Sequence, residues 1–455
     1  MAFLDEDYLF TNSKADMIYQ EIKELPIIDA HNHVNVREIR ENKNYSNIWE
    51  IEGATDHYVW ELLRKRGIEE KYITGNATPK EKWMKMAKVF PDFVGNPVYE
   101  WIHLDLRRRM GINALINEDN AEMIWSQTKQ ILKGDSFKPQ ALLKDMNVEV
   151  MCSTNDPLDL LEHHNALKTT SCETKIYPTW RPDKSMHINS NGFLEYVQKL
   201  EDCTNKKVLH IQDLIDALQV SHDNFEKLGA KASDHGIQIP FGYKIKKEKA
   251  DNIFKKKLNG QVISKEEKKA FMSYMLHEFG EMNVKSDWVM QLHIGAIRDI
   301  RKSLFTKLGP DSGGDVSSHL VPIIDPLKDF LNTFDGRLKV VLYALDPSHY
   351  PTLATLARSF GEKVSLGAAW WFNDSPIGMK RHLKYISSVD LLMNFAGMVT
   401  DSRKLISYGS RTEMFRRVLS DVLGEQVAKG QIPLNIAIRC VTHICYERKK
   451  NLFNF

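Results

Sequence analysis

The chain has 455 residues, 42% of them hydrophobic, and a formal net charge of +2, so it can bury one large core with an insertion, or two domains. So small a charge gives no reason to expect a nucleic acid or an anionic membrane as a partner, and neither a membrane-spanning apolar run nor a signal peptide is recognisable. The five cysteines form no C-x-x-C pair and are odd in number, which favours reduced thiols and a cytoplasmic location.

The first predicted helix and strand lead to a pair of histidines. Apolar residues at helical spacing over 13–25 follow a Thr-Asn-Ser cluster that can cap a helix, and Pro26 ends it. Residues 27–30 predict a strand that runs directly into His31 and His33. Because alternate residues of a strand point to the same side, the two imidazoles can bind one divalent cation. Two polar residues on a strand that leaves the core would show the same pattern.

A long segment with few strand signals follows the histidines. Residues 34–145 are rich in helix formers and tryptophan, so we expect a helical insertion after the first strand. Within it, Thr55 or Asp56 can cap a helix. This cap would place His57 and Tyr58 in the first turn of that helix, where free backbone N–H groups favour an anion.

From residue 148 onward, short β-type runs that end in polar residues alternate with longer helical segments. Together with the first strand, the predicted strands are 27–30, 148–152, 175–180, 231–233, 288–292, 338–343, 363–367 and 391–399. Alternating strands and helices imply a parallel sheet, and eight such units predict closure into a (β/α)₈ TIM-like barrel. An open doubly wound sheet is the alternative, but no G-x-G-x-x-G motif follows the first strand.

A second insertion and one glycine-rich loop complete the predicted organisation. Residues 237–287 contain lysine runs with interleaved glutamates and apolar residues at helical spacing, which favours a solvated helical insertion over a phosphate-binding segment. The predicted barrel therefore comprises residues 1–33 and 146–455, interrupted by the insertions 34–145 and 237–287. The loop 309–315 lacks the Gly-Lys-Ser/Thr ending of a P-loop and predicts only a helix-to-strand connection.

The polar residues expected at the carboxyl ends of the strands form a candidate metal site. Closure of the barrel brings the first and eighth strands together, so His31, His33 and Asp401 can hold one zinc or similar divalent ion with positions open for water or substrate. His293 and His235 are candidates for a second ion. Because the sixth predicted strand ends without a histidine, we expect a single ion.

Besides the His-x-His pair and Asp401, longer motifs occur along nearly the whole chain. They are Asp56-His57-Tyr58, Gly95-Asn96-Pro97, Thr179-Trp180-Arg181-Pro182-Asp183, Ser233-Asp234-His235, Gln291-Leu292-His293-Ile294-Gly295-Ala296, Trp370-Trp371-Phe372-Asn373-Asp374, Gly397-Met398-Val399-Thr400-Asp401-Ser402-Arg403 and Phe415-Arg416-Arg417. With these motifs in this order, the chain resembles the amidohydrolase superfamily and, within it, the uronate isomerase family. The resemblance implies a barrel of the metal-dependent hydrolase type. It also implies aldose–ketose isomerisation, of D-glucuronate to D-fructuronate and of D-galacturonate to D-tagaturonate, in hexuronate catabolism.

Isomerisation through an enediol needs a base near C2, a proton donor to the carbonyl oxygen and stabilisation of the oxyanion. Asp401 can bind the metal and carry the proton between C2 and C1, a role that the resemblance also implies. Arg403, two residues later, can stabilise the developing negative charge. Tyr58 can donate a proton to the same oxygen, and His57 can orient or assist it.

Three further residues are candidates for contact with the substrate. Arg181 is the candidate for the carboxylate or the hydroxyls of the sugar acid, because its planar guanidinium pairs two oxygens at once. His293 can contact the substrate or support the residues that do, and Trp371 can form a wall of the pocket. Structural ion pairs are the alternative role for Arg181 and Arg403, and packing is the alternative for Tyr58 and Trp371.

Two alternative functions follow from the same residues. A metal-dependent hydrolase or decarboxylase of the same superfamily would use an activated water. A sugar-acid binding protein would not need Asp401 and Arg403 beside a metal pair. We expect a homo-oligomer, since barrels with large insertions often assemble, and we assign no role to Asp234, His235 or the loop 309–315.

Overall fold

The computed structural model describes residues 3–455. Met1 and Ala2 lie outside the described residues. They belong to the predicted barrel segment 1–33 and to the stretch in which no signal peptide is recognisable. The centre of the fold is a parallel sheet in which strands adjacent in sequence are adjacent in space. Its seven strands are β1 (Ile27–Asn32), β2 (Val148–Asn155), β3 (Lys175–Trp180), β4 (Ala232–Ile237), β5 (Val289–Ile294), β6 (Lys339–Ala344) and β7 (Val364–Leu366).

Helices precede, connect and follow the strands. Before β2 lie α1 (Ser13–Ile22), α2 (Val36–Glu41), α3 (Ile48–Glu52), α4 (His57–Lys65), α5 (Pro79–Val89), α6 (Pro97–Met110), α7 (Ala121–Ile131) and α8 (Pro139–Asp145). Between β2 and β5 lie α9 (Glu162–Leu167), α10 (Asp183–Met186), α11 (Phe193–Thr204), α12 (Ile211–Lys227), α13 (Lys247–Leu258) and α14 (Lys265–Lys285). The remaining helices are α15 (Lys302–Leu308), α16 (Ile324–Thr333), α17 (Tyr350–Ser359), α18 (Pro376–Val389), α19 (Ser407–Ala428), α20 (Leu434–Thr442) and α21 (Arg448–Phe453).

Strands β1 and β5 are buried along their whole length, as expected when helices cover both faces of a parallel sheet. The α/β class is therefore confirmed. The predicted insertion 34–145 contains α2 to α8, and the predicted insertion 237–287 contains α13 and α14. Their separation from the barrel as distinct units stays a prediction. No helix within residues 3–455 combines the length and the apolar character that crossing a membrane requires.

The predicted eighth strand, 391–399, is wrong as a strand. Leu392–Asn394 forms a short 3-10 helix, and the residues that follow are not part of the sheet that the described residues build. Gly397 and Asp401 have φ angles of 87° and 48°. These left-handed conformations interrupt the extended backbone that a regular ladder requires.

The segment 396–402 nevertheless lies between the two edge strands of the sheet; we call it the seam. The N–H of Ala396 donates to a carbonyl of β7 over 2.9 Å. On the other side, the N–H of His33 donates to the carbonyl of Ser402 over 2.9 Å, and the N–H of Thr400 donates to the carboxylate of Asp29 over 2.8 Å. The curled sheet therefore consists of seven strands, and the irregular seam connects its two edges.

The start of α4 is fixed against the seam. The side chain of Asp56 accepts a hydrogen bond from the N–H of Tyr58 over 3.0 Å, the N-cap contact that the sequence predicted. The hydroxyl of Thr55 donates to the carbonyl of Arg403 over 3.1 Å. These two contacts hold His57 and Tyr58 beside the carboxyl end of the sheet.

Candidate active site

Two imidazoles and one carboxylate converge at the carboxyl edge of the sheet. His31 is the fifth residue of β1, and its Nε2 atom lies 3.4 Å from Oδ1 of Asp401. The Nε2 atom of His33 lies 3.3 Å from the same oxygen. The three donor atoms are within 4.8 Å of one another. Two nitrogen donors and one carboxylate oxygen at this spacing fit a divalent ion of the zinc type and leave positions for other ligands.

The carboxylate of Asp401 is held from both of its oxygens. The indole N–H of Trp370 donates to Oδ2 over 3.0 Å, while Oδ1 faces the imidazoles. Burial alone would raise the pKa of Asp401, but hydrogen bonds and charge interactions with His31 and His33 hold it well below its ordinary value. The carboxylate is therefore ionised at neutral pH.

A buried carboxylate lies behind the first imidazole. Asp234, from β4, has Oδ2 at 3.7 Å from Nδ1 of His31 and Oδ1 at 2.7 Å from Nδ1 of His293. All three side chains are nearly inaccessible to solvent, and the His293 ring stacks on Tyr343 at a centroid distance of 4.2 Å. The 3.7 Å separation is longer than a hydrogen bond, so Asp234 acts on His31 through its charge: burial would lower the pKa of His31, and the negative charge of Asp234 raises it. This burial favours the supporting role that the sequence left open for His293.

Arg181 reaches the cavity and is already paired with two carboxylates. Its Nε atom lies 3.1 Å from Oδ2 of Asp183, and its NH1 atom lies 3.2 Å from Oδ2 of Asp234. The third nitrogen, NH2, occupies space that a side chain at residue 236 would fill, because a Cβ on Gly236 would lie 2.6 Å away. His235 lies behind this group, with Nδ1 3.5 Å from Oδ1 of Asp183.

A cavity of about 920 Å³ opens at the carboxyl edge of the sheet. Its walls include His33, Arg181, Trp370 and Arg403. Trp371, the tryptophan that the sequence favoured for the substrate, is 4% exposed and has a φ of 53°, and it packs against other side chains. Of the tryptophan pair, it is Trp370 that faces the cavity.

His57 and Tyr58 are largely enclosed, and neither is among the residues that line this cavity. Within residues 3–455, neither Nδ1 of His57 nor the hydroxyl of Tyr58 has a hydrogen-bond partner. Burial and the positive charge of Arg403 lower the pKa of His57 to about 4, so its ring is neutral at pH 7. Burial and the negative charge of Asp401 raise the pKa of Tyr58 well above its ordinary value. The Tyr58 hydroxyl therefore keeps its proton at neutral pH and can donate a hydrogen bond.

The ring of Tyr58 is positioned by an arginine that the sequence analysis did not select. The guanidinium carbon of Arg411 lies 5.1 Å from the ring centroid of Tyr58 and 3.8 Å from that of Trp101. Arg411 also donates to Asp374 over 2.7 Å. Nothing in the local sequence distinguishes this arginine from the others near the start of α19.

A parallel α/β sheet with two imidazoles and a carboxylate converging at its carboxyl edge is the arrangement of metal-dependent α/β enzymes. The chain belongs to the glucuronate isomerase family, since the family model of that description matches residues 1–453. It is thus an isomerase, and the resemblance found in the motifs is confirmed.

Proteins that are similar to this chain along its full length include uronate and glucuronate isomerases. The uronate isomerase of Thermotoga sp. (strain RQ2) is 53% identical over 451 residues, which cover 99% of both chains. The crystal structure of uronate isomerase from Thermotoga maritima has a TM-score of 0.98 at 52% identity and covers 100% of both chains. The crystal structure of glucuronate isomerase from Caulobacter crescentus has a TM-score of 0.93 at 25% identity, covering 99% of this chain and 97% of that one.

Proposed function

We propose that the chain isomerises D-glucuronate to D-fructuronate and D-galacturonate to D-tagaturonate at the cavity described above, in hexuronate catabolism. The observation that carries the proposal is the juxtaposition of the His31, His33 and Asp401 donors with a cavity wall containing Arg181 and Arg403. An anionic sugar needs positive charge on the wall, and its isomerisation needs a base beside the carbon skeleton.

In this proposal His31, His33 and Asp401 hold one divalent ion, with zinc as the metal that their donor set favours. The chemistry that these residues would gain from a bound ion is Lewis-acid polarisation of a sugar oxygen, which would acidify the neighbouring C–H group. The negative charge of Asp234 near His31 favours a cation at this site.

Asp401 is the proposed proton carrier. One carboxylate oxygen takes the proton from C2, the electron pair of that C–H bond forms the C1=C2 double bond, and the C1=O pair moves onto O1, which takes a proton from Tyr58. The O2 hydroxyl then returns a proton to the Tyr58 oxygen, the C2=O bond forms, and the C1=C2 electron pair takes the proton back from the same carboxylate to make the new C1–H bond. The low pKa of Asp401 makes it a weak base, so the enediolate itself must be stabilised. Arg403 supplies that stabilisation from the cavity wall, because its guanidinium can pair with the oxyanion.

Tyr58 is the proposed donor to the carbonyl oxygen. Its hydroxyl is protonated, buried and without a partner among residues 3–455, so nothing competes for its proton. The neutral His57 beside it orients the substrate or assists the transfer. Arg181 binds the carboxylate or the hydroxyls of the sugar acid through its third nitrogen, because the other two face carboxylates.

The test is an isomerisation assay with D-glucuronate deuterated at C2, in ordinary water, combined with metal analysis of the same sample. Formation of the ketose supports the proposal; a hydrolase, a decarboxylase or a binding protein would form none. Deuterium retained at C1 of D-fructuronate supports a sheltered proton carrier. Complete loss of the label would contradict such shelter, and metal-loaded Asp401→Asn protein with near-normal turnover would overturn the assignment of Asp401.

We also propose a class of substrate, a state of assembly and a cellular location. The small-molecule partner is a hexuronate, the chain assembles as a homo-oligomer, and it works in the cytoplasm. Size-exclusion chromatography with light scattering measures the assembly, and a monomer at micromolar concentration would contradict it.

A further inference from the structure

The glycine-rich loop 309–315 brings a carboxylate to the wall of the cavity. The Oδ1 atom of Asp311 lies 3.4 Å from NH1 of Arg298 and 3.4 Å from NH2 of Arg403. All three side chains line the cavity. Asp311 itself has a φ of 57°, a strained conformation for an aspartate, and the loop therefore directs this side chain at some conformational cost.

Other contacts hold the two arginines in place. Arg298 has NH1 3.2 Å from Oδ2 of the buried Asp315, and its guanidinium carbon lies 5.0 Å from the ring centroid of Trp371. Arg403 belongs to the chain that follows the seam, where its carbonyl accepts a hydrogen bond from Thr55. The guanidinium group of Arg298 would therefore stay near the cavity if the Asp311 carboxylate left, and the backbone of Arg403 would keep its place.

The loop carboxylate is the replaceable partner. The side chain of Asp311 is 57% exposed, and both of its contacts, at 3.4 Å, are long for a hydrogen bond. Exposed ion pairs of this kind are weak. Arg181 differs, because Asp183 and the fully buried Asp234 hold it and cannot leave. Of these three arginines, Arg298 and Arg403 therefore share the anion that a ligand can most easily displace.

The geometry points to Asp311 as an internal competitor of the substrate carboxylate. In the free enzyme its side chain lies between Arg298 and Arg403. On binding, this side chain turns away while the rest of the loop stays in place. The carboxylate of the sugar acid then pairs with Arg298, and Arg403 is left to the oxyanion. This inference rests on the proposed function and deepens it, since it leaves the sugar hydroxyls to Arg181. It also makes recognition depend on charge, because a neutral sugar has no carboxylate that could replace the carboxylate of Asp311.

The test measures the binding of a non-reacting pair of ligands by titration calorimetry. L-gulonate is D-glucuronate with its aldehyde reduced to an alcohol, and D-glucitol is the neutral counterpart of L-gulonate. Asp311→Asn removes the competing charge, so it should bind L-gulonate roughly 2- to 10-fold more tightly than the parent chain and should leave D-glucitol binding unchanged. The matched control is Asp299→Asn, which removes an equal charge from the same cavity wall.

A second comparison isolates the proposed exchange. In an Arg298→Gln background, Asp311→Asn should give a smaller gain than in the parent chain, because the cation with which the sugar carboxylate would pair is absent. Unchanged or weaker L-gulonate binding by Asp311→Asn would overturn the inference, and so would an equal gain in Asp299→Asn. A parent chain that isomerises D-glucuronate yet shows either result leaves the proposed function standing. A parent chain without isomerase activity would remove the proposed function, and this inference with it.

Discussion

Replacement of Tyr58 by phenylalanine should separate activity from stability. The Tyr58 hydroxyl is buried and has no hydrogen-bond partner in the part of the chain that the structure describes. A buried hydroxyl without a partner costs about 1–3 kcal/mol of folding free energy. Phenylalanine keeps the ring that packs against Arg411 and Trp101 and removes only this cost. We therefore expect the free energy of unfolding to stay the same or to rise by up to about 1–3 kcal/mol.

Activity should change in the opposite direction. If the hydroxyl donates the proton in the isomerisation, kcat for D-glucuronate should fall by roughly 10²- to 10⁴-fold, with a smaller change in KM. Steady-state kinetics and urea unfolding of the same preparation measure both quantities. Unchanged kcat would refute the assignment of the donor, and a clear loss of stability would refute the interpretation of the unpaired hydroxyl.

Tyr343 offers a matched control for this experiment. Its hydroxyl is also buried, but it donates to Oε1 of Gln291 over 2.8 Å. Tyr343→Phe should therefore lower the free energy of unfolding by about 1 kcal/mol. The two substitutions delete the same atom, and their opposite effects on stability would come from the hydrogen bond alone.

Three other predictions follow from the site. Arg181→Lys keeps the charge but cannot reproduce the planar fork, so the loss of one charge-assisted hydrogen bond should lower kcat/KM roughly 10- to 150-fold; unchanged kinetics would make Arg181 a structural residue. Metal analysis should find one divalent ion per chain, and His33→Ala should lower this content; a second ion of equal occupancy would contradict the single site. The ring of His57 should not titrate between pH 6 and 8 in ¹⁵N NMR, because its pKa is about 4. The ordinary pKa of about 6.5 applies to His57 in the unfolded chain, which therefore binds a proton at a higher pH than the folded chain does. The contribution of His57 to the free energy of unfolding is accordingly lost as the pH falls from about 6.5 to 4. A midpoint near 6.5 would contradict the burial argument.

Sequence patterns located the strands where burial and polarity change together. The run 175–180 is predicted and observed with the same bounds. For β4 the prediction stopped at residue 233, because Asp234 and His235 are polar and were assigned to the end of the strand. The structure continues the strand through both, since inside the protein Arg181 lies 3.2 Å from Asp234 and Asp183 lies 3.5 Å from His235. Such tertiary partners cannot be deduced from local spacing.

The apolar run 391–399 predicts a strand that the structure does not contain, and the reason is the opposite one. It is buried enough to be a strand, yet Gly397 and Asp401 adopt left-handed conformations that only the surrounding contacts explain. The position of Asp401 was nevertheless predictable, because its place after the run puts it at the edge beside His31. Arg411 and Asp311 were not predictable, because each acts on a residue far away in the sequence.

The position of the seam near the end of the chain also determines when, during translation, the three donors of the candidate metal site can come together. Asp29 and Thr400, which it joins, are 371 residues apart along the chain. At about 5–20 residues per second, a ribosome needs on the order of 20–70 s to make the intervening chain. Throughout this interval His31 and His33 exist without their carboxylate partner and without the shelter of the seam. The complete set of three donors therefore forms only when translation is almost finished, so an ion held by all three would be acquired by a nearly finished protein rather than by an emerging first strand.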